Sequence, residues 1–250
     1  MLNAKPMPLA IILALAVQGC TSETPPDEEP IGAVRNPAVF DPSKPYAPVV
    51  SASELSPSLT HELFPAPAGA RWTYEAKKPD GTERIEIEVL PEKKSVWGTS
   101  ATVIRDTVFL DDEMIEDTWD WYAEDASGNV WYLGEETYEY ENGQVVCECG
   151  AWESGVDQAL PGVIMLADPR VADAYRQEYL KGEAEDYAEV VSLSEKVTVA
   201  AGSFTGCLKT RDRSAIDPSN EAFKYYCPGV GTVLEEEDGE RVELISYSGL

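Results

Sequence analysis

At 250 residues, 43% hydrophobic and 26% charged, the chain has the size and composition of one large globular domain or two small ones. Its 46 acids against 19 bases give a formal net charge of -27. A surface of that sign repels nucleic acid and anionic lipid headgroups and suits cations or basic partners.

The first residues, "MLNAKPMPLAIILALAVQGC", combine a basic start at Lys5, an apolar run Leu9–Val17 and a cysteine at position 20. The run is too short to span a bilayer as a mature helix and has the form of a signal-peptide core over 1–19. The ending Val17-Gln18-Gly19-Cys20 resembles the lipobox of bacterial lipoproteins. That resemblance implies that Cys20 is lipidated and becomes the mature N-terminus, anchoring the chain to a membrane of the cell envelope. Thr21 and Ser22 lack the aspartate that retains such proteins at the inner membrane, so the family's sorting rule implies the outer membrane.

Residues 20–68 are rich in proline and acid and are expected to form an extended tether. His61, the only histidine, lies at its end; a zinc motif H-E-x-x-H needs histidine where the chain has Pro65.

From 69 to 250 the pattern is strand-like. "ERIEIEV" sets Ile85, Ile87 and Val89 against Arg84, Glu86 and Glu88, and "KVTVAAG", "AFKYYC", "GTVLEEE" and "RVELISY" read the same way. Asp238-Gly239 marks a tight hairpin. About ten to twelve strands are expected. The expected fold is all-β, a single antiparallel domain built as a curved sheet, half-barrel or sandwich. "DPRVADAYRQEYLKG" over 168–182 fits either a helix or a strand; its strand-rich surroundings favour strand.

Four cysteines follow Cys20, an even number that suits disulfides in an exported chain. Hairpin pairing across a loop near residue 216 brings Cys207 towards Cys227. Cys147 and Cys149 lie two apart on one strand face, so a bond between them requires a bend near Gly150. The alternative for that pair is a soft-metal or redox site.

The stretch "WDWYAEDASGNVWYLGEE" (119–136) places a type I turn with a bulge at Asp125–Gly128. Gly128 falls at the fourth position of the turn, where an EF-type calcium loop needs glycine at the sixth. The turn pairs Tyr122 with Tyr132, Ala123 with Trp131 and Trp121 with Leu133. One face then carries Trp119, Trp121, Trp131 and Leu133, either a filled core or the wall of a groove for an apolar ligand. The other face, with Asp120, Tyr122, Tyr132 and Glu136, is expected to be solvated.

"WYAEDASGNVWYLGEE", "AWESGVDQALPGVIM", "YRQEYLKGEAEDYAEV" and "YYCPGVGTV" are similar to motifs of a family of uncharacterised bacterial exported proteins. That resemblance implies no activity and no site residues. The fold class and address also resemble the curved-sheet carriers of lipoprotein transport, an analogy of architecture alone.

A histidine triad or histidine zinc site has no histidine within the domain, and "GSFTG" carries Phe204 where a nucleophile elbow needs serine. No catalytic residue and no cofactor is called for. The leading expectation is a lipid-anchored, acidic, non-catalytic envelope protein that binds a hydrophobic ligand or an envelope partner. The alternatives are metal handling at Cys147 and Cys149 or on the acidic face, and a glycan-active enzyme using paired carboxylates.

Overall fold

The computed structural model describes residues 45–250. The expected signal peptide, Cys20 and the expected tether as far as residue 44 lie outside the described residues. A short 3-10 turn, Ala52–Glu54, precedes fifteen strands. They are β1 (Leu55–Ser56), β2 (Arg71–Lys78), β3 (Gly81–Val96), β4 (Thr99–Leu110), β5 (Glu113–Asp125), β6 (Val130–Glu141), β7 (Gln144–Cys147), β8 (Trp152–Glu153), β9 (Gly162–Met165), β10 (Ala174–Arg176), β11 (Asp186–Val199), β12 (Gly202–Ser214), β13 (Glu221–Cys227), β14 (Gly231–Glu237) and β15 (Glu240–Ser248). All belong to one antiparallel sheet, as the alternation predicts. Five of the fifteen (β1 and β7–β10) are four residues or shorter; they are too brief to leave a sequence period, so the longer strands are the ones the pattern counts. Within 168–182 only Ala174–Arg176 is a ladder strand, and the rest is turn apart from a bridge between Leu180 and Ala184.

The sheet order is β10-β11-β12-β13-β14-β15-β2-β3-β4-β5-β6-β7. Two meanders are joined by the pairing of β15 with β2, from Val242 opposite Ala76 to Ser248 opposite Arg71. Bulges in β3–β4, β5–β6 and β11–β12 bend the ladder, which is how a long sheet curls. The curl brings its ends together. β9 pairs with β6, and beside it Leu160 N–H donates to Tyr179 O at 2.9 Å. A Cβ on Gly162 would stand 1.8 Å from Gln177 O, so only glycine permits this approach of the two backbones.

The expected tether ends sooner than residue 68. Leu55 and Ser56 pair with Asp125 and Glu124 on β5. The Glu124 carboxylate accepts hydrogen bonds from Thr60 N–H, Thr60 Oγ1–H and His61 N–H. Leu63 N–H donates to His61 Nδ1, which puts the imidazole proton on Nε2, 3.1 Å from Leu166 O. Leu59 and Ala66 are buried, and the Phe64 ring meets Tyr122 edge-on at 5.2 Å. Proline and acid dominate the segment's composition, but its few apolar side chains bury against the sheet and decide its structure.

The turn at Asp125–Gly128 forms as expected, with Asp125 N–H donating to Asn129 O and Gly128 N–H to Asp125 O, both at 3.0 Å. Tyr122 pairs with Tyr132 and Ala123 with Trp131. Trp121, however, pairs with Gly134 instead of Leu133. β6 carries one extra residue there, because the Trp152 carbonyl presses on Gly134, 2.3 Å from where a Cβ would stand. The bulge reverses the later faces of β6. Glu135, not Glu136, shares a face with Asp120.

The Gly162 contact generates a direct test of closure. Gly162→Ala is expected to lower unfolding stability by about 3 kcal/mol, the upper range for overpacking, read as a lower urea midpoint. An unchanged midpoint would mean that the sheet ends do not meet this closely.

Candidate functional site

The inner face of the curled sheet shapes two connected, half-open chambers. The first, about 230 Å³, is walled by Trp72 and Tyr74 from β2, Ile85 and Ile87 from β3, Ile104 from β4, and Phe64 and Val230 from loops. The second, about 350 Å³, is walled chiefly by Tyr132, Gln177, Glu178, Asp186, Asp212 and Glu237. Tyr122, Ile164, Lys224 and Glu235 line both, so the chambers meet at those four residues.

Strand register builds each wall. Trp72 stands opposite Ile87, Ile87 opposite Asp106, Ile104 opposite Asp120, and Asp120 opposite Glu135. On the other half, Thr210, Lys224, Glu235, Val242 and Ala76 form one row across five strands. Directly paired residues share a face, so each row points inward together. The two β2 aromatics of the first chamber have their polar atoms occupied. Trp72 Nε1–H donates to Val230 O at 2.8 Å and the Tyr74 hydroxyl to Thr232 O at 2.9 Å. What these rings offer a ligand is hydrocarbon surface.

The second chamber is electrostatically loaded. Lys224 Nζ lies 3.7 Å from Asp212 Oδ2 and 3.9 Å from Glu235 Oε2. Glu235 foremost, then Asp212, holds Lys224 charged against the cost of burial and pushes its pKa up. Burial pushes Asp106 up to about 8, helped by repulsion from Glu116 and opposed by Lys224. Burial likewise pushes Glu178 up to about 8, with Glu135 and Asp186 adding repulsion.

Asp120 and Glu135 meet at one hydroxyl. Tyr132 donates to Asp120 Oδ1 at 2.5 Å and its oxygen lies 3.1 Å from Glu135 Oε2. A tyrosine hydroxyl has a single proton, so both contacts are satisfied together only when one carboxyl carries a proton of its own. Burial first raises both carboxyls; repulsion from Asp106 adds to it at Asp120, and repulsion from Asp120 adds to it at Glu135. The two acids thus form a relay through Tyr132.

The tryptophan face lies on the other side of the sheet. None of Trp119, Trp121, Trp131 and Leu133 lines either chamber. Trp121 and Trp131 are 4% and 1% exposed and Leu133 is fully buried, so they fill space. Trp131 Nε1–H donates to Asp125 Oδ2 at 2.8 Å. The Lys94 ammonium sits 4.2 Å over the Trp121 ring, and the Arg105 guanidinium 5.1 Å over Trp119. The face expected to be solvated is therefore the one that shapes the chambers.

Cys207 and Cys227 are disulfide-linked with Cα atoms 4.2 Å apart, beside the Leu208–Tyr226 pair. Cys147 and Cys149 are linked to each other at the end of β7, with Cα atoms 5.2 Å apart and Gly150 in the bend. The Glu139 carboxylate lies within 4.8 Å of both sulfurs. Sulfurs bonded to one another are not thiolates, the form that ligates a soft metal.

Sequence reasoning missed Asp106, Glu178, Asp212, Lys224 and Glu235. A signal was present: Asp106 has the parity of Ile104, and Lys224 that of Ala222 and Tyr226.

No protein-family model matches the chain, and no curated protein does. Among solved structures the chain is similar to a protein provisionally designated a lipoprotein, from Parabacteroides distasonis ATCC 8503. The two share 12% identity at a TM-score of 0.40, over 75% of this chain and 99% of that one. No residue is carried over from it.

The raised carboxyls make stability depend on pH. Asp106 and Glu178 keep a proton in the folded chain up to about pH 8, whereas in the unfolded chain they lose it near pH 4. The folded state then binds more protons, so stability falls as pH rises from about 4 to about 8 and levels off above. Across this window urea midpoints are expected to be highest near pH 4, and Asp106→Asn to flatten the decline. A midpoint that rises across this window would contradict the assignment.

Proposed function

We propose that this chain is a lipid-anchored, non-catalytic binding protein of the cell envelope that holds a hydrophobic ligand inside its curled sheet. One observation carries the reading: the chamber of about 230 Å³ walled by Trp72, Tyr74, Ile85, Ile87 and Ile104, with the polar atoms of its two β2 aromatics already bonded to backbone. Small-ligand sites are concave and mostly apolar, with a few fixed polar groups, and typically measure about 300–1,000 Å³. The two connected chambers fall in that range. The leader and the lipobox-like "VQGC" support export and acylation at Cys20. A bound ligand sits on the inner face of the sheet, and the Trp119–Trp121–Trp131 face serves as packing.

Nile red, a neutral hydrophobic dye, tests the chamber. Saturable one-to-one binding is expected for the wild-type domain. Ile87→Phe fills the space from its wall and is expected to weaken binding at least tenfold with a small change in melting temperature. Binding that is absent, or indifferent to Ile87→Phe, overturns the reading. The anchor is tested separately by fatty-acid labelling in a bacterial host. Label in the wild-type chain and none in Cys20→Ala is expected; equal label in both removes acylation at Cys20.

A further inference from the structure

We infer that the second chamber selects a protonated amine, so that the ligand is a cationic amphiphile. Its apolar body lies against Trp72 and Ile87, and its ammonium group lies among the carboxylates around Lys224. This rests on the proposal that the first chamber holds a hydrophobic ligand and adds the chemistry of the ligand's head.

Continuity comes first. A molecule seated in the first chamber reaches Lys224 and Glu235, which belong to both walls. Hydrogen bonding comes second. Asp212 is 8% exposed; its Oδ2 accepts from Gln177 Nε2 at 3.1 Å, while its Oδ1 has no hydrogen-bond partner among the described residues. The Lys224 ammonium, 3.7 Å from Asp212 Oδ2, is too distant to supply a hydrogen bond. Asp212 Oδ2, with one hydrogen bond from Gln177, therefore keeps accepting capacity for a ligand that brings donors. An ammonium brings three and has no acceptor of its own.

Charge points the same way. Five acids line the second chamber; Glu178 keeps its proton at pH 7, which leaves four carboxylates, at Asp186, Asp212, Glu235 and Glu237, against two cations. One of those, Arg213, already donates from Nε and Nη2 to Glu221. An anionic head would meet the carboxylates with only Lys224 to hold it. A metal ion is a poor fit as well. Among the described residues, no three carboxylates of this chamber bring oxygens within 4.8 Å of one another, the convergence a small cation requires. The acids are spread on the scale of an organic head group.

Three ligands with the same chain separate the possibilities: dodecylamine, dodecanol and dodecanoate, each kept monomeric and titrated calorimetrically into the full chain at pH 7. Dodecylamine is expected to bind at least tenfold more tightly than dodecanol, with dodecanoate the weakest. Asp212→Asn, and independently Glu235→Gln, are expected to bring the ratio of amine to alcohol affinity towards one. Loose association of an amine with the acidic surface would be indifferent to these single interior substitutions. Equal binding of amine and alcohol, or an amine preference that survives both variants, overturns the inference and leaves the hydrophobic chamber standing. Failure of all three ligands to bind overturns both.

Discussion

The pairing of β15 with β2 is the contact on which the rest of the structure depends. It joins the last long strand to the first and makes two separate meanders into one continuous sheet. Without it the row Lys224–Glu235–Val242–Ala76 would not exist, and the first chamber would not have a complete wall. The far ends then meet through Gly162, whose missing side chain lets the β9 backbone lie on Gln177. The half-open interior follows from long-range strand pairing, with side chains as its lining.

Enclosure turns ordinary acids into unusual ones. A carboxylate on the outer face of such a sheet is solvated and costs nothing. The same group on the inner face loses water and gains like-charged neighbours, and both effects favour its protonated form. Asp106, Glu178 and the Asp120–Tyr132–Glu135 relay all show this. Lys224 offsets part of the repulsion, but it stands closer to Asp212 and Glu235 than a diffuse background charge and too far from either to hydrogen-bond. An apolar interior would be more stable by any general account of buried charge. On the proposed reading the acids are the lining of a ligand chamber, a cost that the rest of the sheet carries.

Much of the fold was legible in the sequence. Alternation identified the long strands, and Asp125–Gly128 fixed the first rungs of its hairpin. The bulge at Gly134 was not legible, because it is forced by the backbone of Trp152, which arrives from a later segment. The site was harder to read. Three tryptophans in thirteen residues suggest a cavity wall, yet the register puts Asp120 and Tyr122 inside instead. With 46 acids in the chain, an inward carboxylate looks the same as an outward one until pairing partners are known. Residues 55–66 were obscured in a similar way. Their proline content reads as a tether, and the burial of Leu59, Phe64 and Ala66 against the sheet is a tertiary fact.

The central claim is that the acidic face is the interior. Carboxyl carbon chemical shifts, followed by NMR from pH 3 to pH 10, test it most directly. The account predicts that Asp106 and Glu178 titrate near pH 8, well separated from the surface acids. Titration of both near pH 4, with the bulk of the carboxylates, would place that face in water and contradict the account.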